Sequence, residues 1–261
     1  MIKMTRRLPK ISLITPTFNQ SQFIKQTIQS VLTQQYPNLE YIVMDGGSTD
    51  GTKEILNRYS THLKWYSEKD RGQSHALNKA LKMLSGDIIG YVNSDDYLLP
   101  GALKKTADFF VKNDDAYWVT GKCRIVDENE DEVRKIVTVY KNIFLKYFRN
   151  LNTNLIVQFI SQPATFWRRA VLEKIGYFDE KLYYDMDYDY WLRMWQKYKL
   201  YFIDSYLASY RIHKNSKAMM SPVKQFQIEY ELSAKYTSNK FIRNLHRIHQ
   251  YLSLIGYKII R

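Results

Sequence analysis

Apolar positions in the first hundred residues follow two periodicities in turn. Short apolar runs typical of buried strands occur in KISLITPTF, LEYIVMD, LKWYSE and DIIGYV. Between these runs, apolar residues recur three or four positions apart, which predicts helices around Phe23 to Leu32, Lys53 to Tyr59 and Ala76 to Leu84. Strands that alternate with helices predict an α/β protein whose parallel sheet has helices on both faces.

Polar side chains follow each of the four predicted strands. In open α/β sheets, ligands bind beyond the carboxyl ends of the strands. Loops are commonly polar in any protein, but four such loops at one edge favour a binding site there. The residues are Thr15, Pro16, Thr17 and Asn19 after the first strand, Asp45 to Ser48 after the second, Asp70, Arg71 and Gln73 after the third, and Asn93 to Asp96 after the fourth.

The stretch YVNSDDYLLP places Asp95 and Asp96 directly after an apolar run. A buried carboxylate is expensive to desolvate unless it is paired or bound to a metal. Two explanations are open: Asp and Ser residues that only form a turn, or a cation site. Mg²⁺ and Mn²⁺ prefer oxygen ligands and need few protein carboxylates, because phosphates and water complete the octahedron.

A second group of carboxylates lies in YYDMDYDYWLRM, at the start of another predicted helix. Helix capping and the helix dipole offer an ordinary explanation for acidic residues at such a position. The alternative is chemistry that uses a carboxylate as a general base. Further along the helix, core packing is predicted for one aromatic face, which carries Trp191, Met194 and Trp195.

Length and composition are those of a globular protein. The 261 residues, 45% of them hydrophobic, suffice for one large domain or one domain with an appendage. Cys123 has no second cysteine to pair with, which is typical of a reducing compartment. No run approaches the length of a membrane span, and the N-terminus lacks the apolar region of a signal peptide. We therefore expect a cytoplasmic location.

The net charge of +13 is unevenly distributed. The residues from Arg211 to Arg261 include ten Lys or Arg and two Glu, so eight of the thirteen net positive charges lie in the last fifth of the chain. Residues 221–261 are predicted to form a basic amphipathic helical extension beyond a main domain of residues 1–220. Such a helix either lies on an anionic membrane, such as the inner face of the cell membrane, or packs on the domain.

Four blocks of the chain together resemble family 2 inverting glycosyltransferases with the GT-A fold. They are ITPTFNQSQFIKQTIQSVLTQQYPNLEYIVMDGGSTDGT, EKDRGQSHALNKAL, GDIIGYVNSDDYLLPGAL and QPATFWRRAVLEKIGYFDEKLYYDMDYDYWLRM. The resemblance runs from about Ile11 to His213. It implies a Rossmann-like, mainly parallel mixed sheet flanked by helices, with a C-terminal helical extension. It also implies a nucleotide-sugar donor and a divalent cation, Mn²⁺ or Mg²⁺.

The resemblance also implies a set of donor-binding residues. Pro16, Thr17 and Asp45 match positions around the base, where Asp45 can accept the imide N–H of uracil or thymine. Arg71 matches a residue near the base and phosphates, and its planar cation suits both. The alternative for Arg71 is a surface ion pair. The full expected donor set is Pro16, Thr17, Asn19, Asp45, Arg71, Gln73, Asn93, Ser94 and Asp95.

The metal and the chemistry follow from the same resemblance. Asp96 matches the residue that binds the cation, Asp95 the one that meets the ribose or metal, and His213 a histidine able to reach the metal or diphosphate. Asp187 matches the general base, which takes the proton of the attacking hydroxyl in a single inverting displacement. The sequence alone leaves a double displacement through a second carboxylate open. Asp189 is expected to support Asp187.

Gln162 matches the segment that lines the donor sugar and acceptor. Three positions depart from the usual family pattern: His75 stands where Asp is common, Ala80 where Gly is common, and Met186 where many members have Glu. His75 therefore becomes a candidate for the sugar pocket, because an imidazole can pair with phosphate or reshape the site. Acceptor choice is assigned to the variable region from Lys122 to Ile160.

The sequence thus predicts transfer of a sugar from a UDP- or dTDP-sugar to a hydroxyl of a glycan or lipid-linked saccharide in cell-surface polysaccharide synthesis. One alternative is a sugar nucleotidyltransferase-like enzyme, although TPTFNQSQF is not the glycine-rich, basic phosphate loop expected of one. Another is a nucleic-acid-binding protein, which would explain the charge and the 22 tyrosines but not the acidic strand ends. We expect no nucleic-acid partner.

Overall fold

A computed structural model describes residues 8–259, including all their side chains except those of residues 218 and 257–259. The strands are β1 (Ile11–Thr17), β2 (Leu39–Asp45), β3 (Lys64–Ser67), β4 (Ile88–Tyr91), β5 (Tyr97–Leu98), β6 (Trp118–Val126), β7 (Thr165–Arg168) and β8 (Leu200–Arg211). The helices are α1 (Ile24–Leu32), α2 (Thr52–Arg58), α3 (Gln73–Met83), α4 (Ala102–Lys112), α5 (Lys135–Tyr147), α6 (Leu151–Ile156), α7 (Ala170–Ile175), α8 (Met186–Trp195), α9 (Lys217–Met220), α10 (Pro222–Lys235) and α11 (Lys240–Ile259).

The strands form one mixed sheet in the order β3-β2-β1-β4-β7-β6-β8-β5. The first four strands in this order are parallel, as the sequence predicted, and β6 also pairs in parallel with β8. Strand β7 enters between β4 and β6 and runs antiparallel to both. Because β1, β2 and β4 run side by side in one direction, their carboxyl ends meet at one edge of the sheet.

Helices cover both faces of the sheet, which the alternation of side chains along each strand requires. In β1, Leu13 faces the side covered by α1 and α4, while Ile14 faces the side covered by α3 and α8. The predicted aromatic face of α8 lies in this second core. Trp191 and Met194 are fully buried there, and Trp195 packs against them.

A glycine in β4 allows β7 to approach closely. A Cβ at Gly90 would lie 2.5 Å from Cδ1 of Phe166 in β7, well inside van der Waals contact. Phe166 is buried, and Gly90 and Phe166 are partners in the β4–β7 ladder. The strand that leads into the Asp95–Asp96 loop is therefore held against the middle of the sheet.

The C-terminal helices pack on the main domain. Their apolar residues join a small core with α6 and α8 that consists of Leu155, Tyr188, Leu192, Leu232 and Ile242. The boundary between residues 1–220 and 221–261 stays a prediction, but the predicted helical extension is present as α10 and α11. Within residues 8–259, no helix combines the length and apolar character required to cross a bilayer.

Candidate active site

The carboxyl ends of the parallel strands open into a cleft of about 410 Å³. Four side chains predicted from the sequence line it: Gln73, Asn93, Gln162 and Asp187. They come from α3, the loop after β4, the turn before β7 and the first turn of α8. The sheet and its flanking helices thus bring residues more than one hundred positions apart into one site.

Asp45 organises the loops beside the cleft. The carboxylate at the end of β2 is buried and accepts hydrogen bonds from Gly47 N–H (3.2 Å), Ser48 N–H (3.1 Å) and the Ser67 hydroxyl (2.6 Å). The Ser48 hydroxyl also donates to it. Asp45 therefore holds the turn after β2 in shape, and its expected contact with a base stays a prediction.

The loop after β1 is tied to that turn. Asn19 has a left-handed backbone (φ 51°), its N–H donates to the Ser48 hydroxyl (2.7 Å), and its side-chain oxygen accepts from Thr49 N–H (2.9 Å). Pro16 and Thr17 lie just before it at the buried end of β1. The Thr17 hydroxyl is buried with no protein partner, which leaves a polar atom at this end of the strand.

The two adjacent carboxylates after β4 have different surroundings. Asp96 is fully buried, and its oxygens accept from Arg211 N–H (2.8 Å) and the Asn93 amide (3.3 Å). Burial, and secondly the neighbouring Asp95, raise the pKa of Asp96 well above its usual range. Ser94 is also buried, and its carbonyl accepts from the Thr27 hydroxyl (2.8 Å).

Asp95 is the more accessible member of the pair and lies beside His213. Its Oδ2 is 3.0 Å from Nε2 of His213, whose ring packs on Phe23 at 4.7 Å between centroids. A carboxylate and an imidazole at this separation fit Mn²⁺ or Mg²⁺, because a nucleoside diphosphate and water can supply the other ligands. Within residues 8–259, no three His, Cys, Asp or Glu side chains form a metal-ligand cluster.

Asp187 lies in the cleft at the start of α8 with one free oxygen edge. Its Oδ1 accepts from Tyr188 N–H (2.9 Å). Burial raises the pKa of Asp187, while that hydrogen bond and the cations Lys141 and Lys217 act in the opposite direction. A carboxylate with a raised pKa is a stronger base, and these cations favour its ionised form.

Lys217 in α9 spans the cleft between the two acidic groups. Its ammonium donates to Oε1 of Gln73 (2.9 Å) and to the Tyr183 carbonyl (3.2 Å), and it lies 4.5 Å from the centre of the Tyr183 ring. Gln73 in turn donates to Oδ1 of Asn93 (2.6 Å). The pKa of Lys217 is lowered by burial and raised by the carboxylates around it, Asp187 foremost. A cation is thereby fixed between the Asp95 and Asp187 ends.

The far wall of the cleft is made by α5, α10 and α11, and the sequence did not predict that α10 and α11 would line it. Lys141, Glu229 and His249 line this wall. Burial raises the pKa of Glu229 to about 8, with a second contribution from Asp185, and raises the pKa of Asp185 to about 7. Lys141 falls in the variable region that was assigned to the acceptor, whereas no local motif marks Glu229 or His249.

Gln162 and Asp185 both present buried polar atoms with no protein partner. Gln162 donates to the Tyr91 carbonyl (2.6 Å), which leaves its Oε1 unpaired. Asp185 accepts from the Gln225 amide (3.0 Å), which leaves its Oδ2 unpaired. Both residues line the cleft, and a buried polar atom usually has a hydrogen-bond partner, so these two oxygens are candidate acceptors for a bound ligand.

Several predicted residues do not line this cleft, among them Arg71, His75 and Asp189. Arg71 forms an exposed ion pair with Glu180 at 2.5 Å, the surface pairing that the sequence left open. His75 accepts from Arg71 N–H (3.3 Å). Asp189 points along α8 to Arg193 (2.9 Å) and is not among the lining residues, although it is two positions from Asp187.

The model of the glycosyl transferase family 2 matches residues 12–176. The chain belongs to this family. The match covers most of the sheet and the loops after β1, β2 and β4, and it confirms the resemblance drawn from the four sequence blocks.

Two relatives illustrate the range of family 2. An uncharacterized glycosyltransferase of Rickettsia typhi is 24% identical over 254 residues, which cover 95% of this chain and 79% of that protein. The putative teichuronic acid biosynthesis glycosyltransferase TuaG of Bacillus subtilis is 37% identical over 123 residues, which cover 45% of this chain and 48% of TuaG.

Solved structures confirm the GT-A glycosyltransferase fold. S. aureus TarS in complex with UDP-GlcNAc superposes with a TM-score of 0.68 at 23% identity, covering 87% of this chain and 66% of that one. The mannosyltransferase PcManGT of Pyrobaculum calidifontis, in complex with GDP-Man and Mn²⁺, gives a TM-score of 0.64 at 19% identity, covering 92% and 74%. At these identities the likeness establishes the fold alone.

Proposed function

We propose that this protein transfers a sugar from a UDP- or dTDP-sugar to a hydroxyl of a glycan or lipid-linked saccharide, with inversion at the anomeric carbon. One observation carries the proposal: Asp187 lies in the same cleft as Gln73 and Asn93 of the donor side, and Lys217 bridges the two. Donor and acceptor groups thus meet at a single carboxylate.

The preference for uracil or thymine rests on Asp45. A carboxylate accepts the imide N–H of these bases, which cytosine lacks. Structural neighbours bind different nucleotides, UDP-GlcNAc in TarS and GDP-Man in PcManGT, so the fold does not decide between them. Four hydrogen-bond donors fix the orientation of the Asp45 carboxylate, and a base would have to approach its remaining lone pairs.

Asp95 and His213 are the residues that would hold a divalent cation. Such a cation, when bound, neutralises negative charge that develops on the departing diphosphate. Asp96 is buried beneath this pair, and we assign it to holding the loop through Arg211 N–H and Asn93. Lys217 adds a fixed positive charge on the cleft side of the diphosphate.

Asp187 would act as the general base. A positioned carboxylate that takes the proton of the attacking hydroxyl typically contributes about 10²- to 10⁴-fold in rate. Attack from the face opposite the leaving nucleotide inverts the anomeric centre in a single displacement. Asp185 and Gln162 would orient the acceptor through their unpaired oxygens. Asp189 would not take part, because it is committed to Arg193.

We also propose that the reaction takes place in the cytoplasm. The single cysteine, which is buried, suits a cytoplasmic enzyme. Polysaccharide synthesis is suggested by relatives named for teichuronic acid biosynthesis and chondroitin synthesis, each of which covers less than half of this chain. We therefore expect an acceptor that belongs to a growing surface glycan.

Ligand-dependent thermal stability tests the proposal. A ligand that binds only the folded state raises its stability. We expect UDP or dTDP with Mn²⁺ or Mg²⁺ to raise the melting temperature more than GDP or ADP, and EDTA to reduce the shift. Transfer to an identified acceptor would then give a product whose anomeric configuration, read by NMR, is opposite to that of the donor. No stabilisation by any nucleotide at saturation would refute the donor assignment, and retention of configuration would refute the mechanism.

A further inference from the structure

Two neighbouring helices carry apolar side chains on their solvent side. On α5, the exposed residues are three or four positions apart and form a stripe: Ile136, Val139, Ile143 and Tyr147. On α11, a similar stripe comprises Phe241, Ile248, Leu252 and Ile255, with Tyr251 beside it. Their exposures run from 38% to 82%, so each of these side chains presents a large part of its apolar surface to solvent.

The two helices lie side by side. The ring of Tyr140 in α5 stacks parallel to that of His249 in α11, with 6.0 Å between centroids. Val137 of α5 and Ser253 of α11 line the same cleft as Asp187. Both helices therefore border the acceptor end of the cleft, and their two exposed stripes are together called here the α5–α11 surface.

The charge on these helices is of one sign. The segments Lys135–Tyr147 and Lys240–Ile259 contain seven Lys or Arg and no Asp or Glu. The acidic segment 127–132 precedes α5, so the electrostatic attraction to an anionic surface comes mainly from α11. A helix with apolar residues on one side and basic residues around them is typical of proteins that lie in the interface of an anionic bilayer.

From these stripes and this charge, we propose that the α5–α11 surface docks on an anionic lipid bilayer. In a symmetric dimer through the same surface, each copy would contribute seven basic side chains from α5 and α11. Fourteen like charges would then lie close together, which disfavours the dimer. Binding to nucleic acid would leave the apolar stripes exposed to water, whereas an anionic bilayer buries the apolar side chains and attracts the basic ones. If the proposed function is correct, docking brings a lipid-linked acceptor to the end of the cleft beside Asp187.

Vesicle sedimentation with the full chain tests this surface. The probe is phosphatidylcholine vesicles with about one third phosphatidylglycerol, compared with phosphatidylcholine alone and with high salt, since attraction between basic residues and anionic lipid is screened by salt. We expect binding to the anionic vesicles and at least a tenfold weaker partition in the other two conditions. Ile248→Ser with Leu252→Ser, and separately Ile136→Ser with Val139→Ser, should each weaken partition about tenfold, because apolar burial in the bilayer is lost.

Met83→Ser is the matched control, because Met83 is an exposed apolar residue on α3. Its partition should equal that of the unchanged protein. Stabilisation by UDP is measured on every variant: an unchanged shift shows that the fold and donor site are intact, so failure of docking is distinguished from failure of the proposed function. No binding to anionic vesicles, or equal binding by both double variants, would overturn the proposal. A dimer that the same substitutions dissociate would assign the surface to a second copy instead.

Discussion

Single carboxylates in this protein differ by what surrounds them rather than by where they stand in the sequence. Asp187 and Asp189 are two positions apart in the first turns of α8. Asp187 lies in the cleft, where burial raises its pKa. Asp189 turns to Arg193 at 2.9 Å and forms an ion pair. A general base must be able to reach its substrate, and because Asp187 lines the cleft while Asp189 does not, we propose Asp187 as the base.

Replacing Asp187 therefore tests the chemistry directly. Asp187→Asn keeps the size and the hydrogen bond to Tyr188 N–H but removes the base, so we expect the transfer rate to fall about 10²- to 10⁴-fold. Stabilisation by the donor nucleotide should stay unchanged. The measurement is nucleotide release in the presence of acceptor. Asp189→Asn is the control and should retain most of the transfer activity. If Asp189→Asn lost more activity than Asp187→Asn, the assignment of the base would be refuted.

The Asp95–His213 pair makes a separate prediction about the cation. Asp95→Asn and His213→Ala should each reduce the Mn²⁺-dependent part of the stabilisation by UDP, because each removes one proposed ligand. The readout is the melting temperature with UDP in Mn²⁺ and in EDTA. His62→Ala serves as the control, since His62 is an exposed histidine whose Nδ1 lies 2.8 Å from the Thr61 hydroxyl. An unchanged Mn²⁺ response in both variants would remove this pair from the site.

At the scale of elements, the close approach of β7 fixes β4, the strand that leads into the loop of Asp95 and Asp96. Gly90 leaves the space that Phe166 fills. In contrast, a Cβ at Gly256 in α11 would meet nothing within 4 Å. The same substitution at these two glycines therefore separates crowding inside the sheet from the ordinary helix propensity of alanine.

Gly90→Ala should lower the free energy of unfolding by about 1–3 kcal/mol, because an overfilled core forces its neighbours to shift. Gly256→Ala should leave it unchanged or raise it by about 0.5–1 kcal/mol, because alanine loses less backbone freedom in a helix. Urea denaturation followed by circular dichroism measures both. Equal effects at the two positions would contradict the close packing of β4 on β7.

At the scale of the whole molecule, the C-terminal helices complete the active-site cleft. Glu229 of α10 is buried in the wall opposite the sheet edge and lies 4.0 Å from His246 of α11. It also interacts with Asp185 at the start of α8. The residues that the sequence predicted as an extension thus interact electrostatically with Asp185 and Asp187 at the start of α8.

This coupling predicts how stability depends on pH. Burial raises the pKa of Glu229 from 4.5 to about 8, so between these values the folded state holds a proton that the unfolded state has lost. The free energy of unfolding therefore falls as pH rises through this window. Above the pKa that Glu229 has in the folded state, the stabilisation from its bound proton is lost. Asp185, with a pKa of about 7, acts in the same direction.

Glu229→Gln isolates this contribution, because a neutral amide of similar shape cannot ionise. Between pH 6.5 and 8, we expect the stability of the variant to fall less than that of the unchanged protein, by on the order of 1–2 kcal/mol. Chemical denaturation at several pH values gives the difference. Glu231→Gln, an exposed residue of the same helix, should follow the unchanged protein. Parallel curves for all three proteins would show that Glu229 is not buried as a neutral acid.

Local patterns sufficed for the first four strands and the three helices between them. The run LEYIVMD predicted β2 with its observed bounds, and the helix starts and ends agreed within a few residues. Periodicity works here because each element buries one side, or both, against a common core. The family could also be recognised from the sequence, because the four blocks that resemble it include these loops and the start of α8.

The sequence by itself determined the fold class, the family and the order of polar loops along one edge of the sheet, because these depend on residues near one another in the chain. Tertiary structure decided which carboxylates share the cleft, that Asp96 is buried while Asp95 meets His213, and that residues of α5, α10 and α11 line the cleft. These outcomes depend on contacts between segments more than one hundred residues apart, such as Gln73 with Lys217, and no local pattern encodes such a distance.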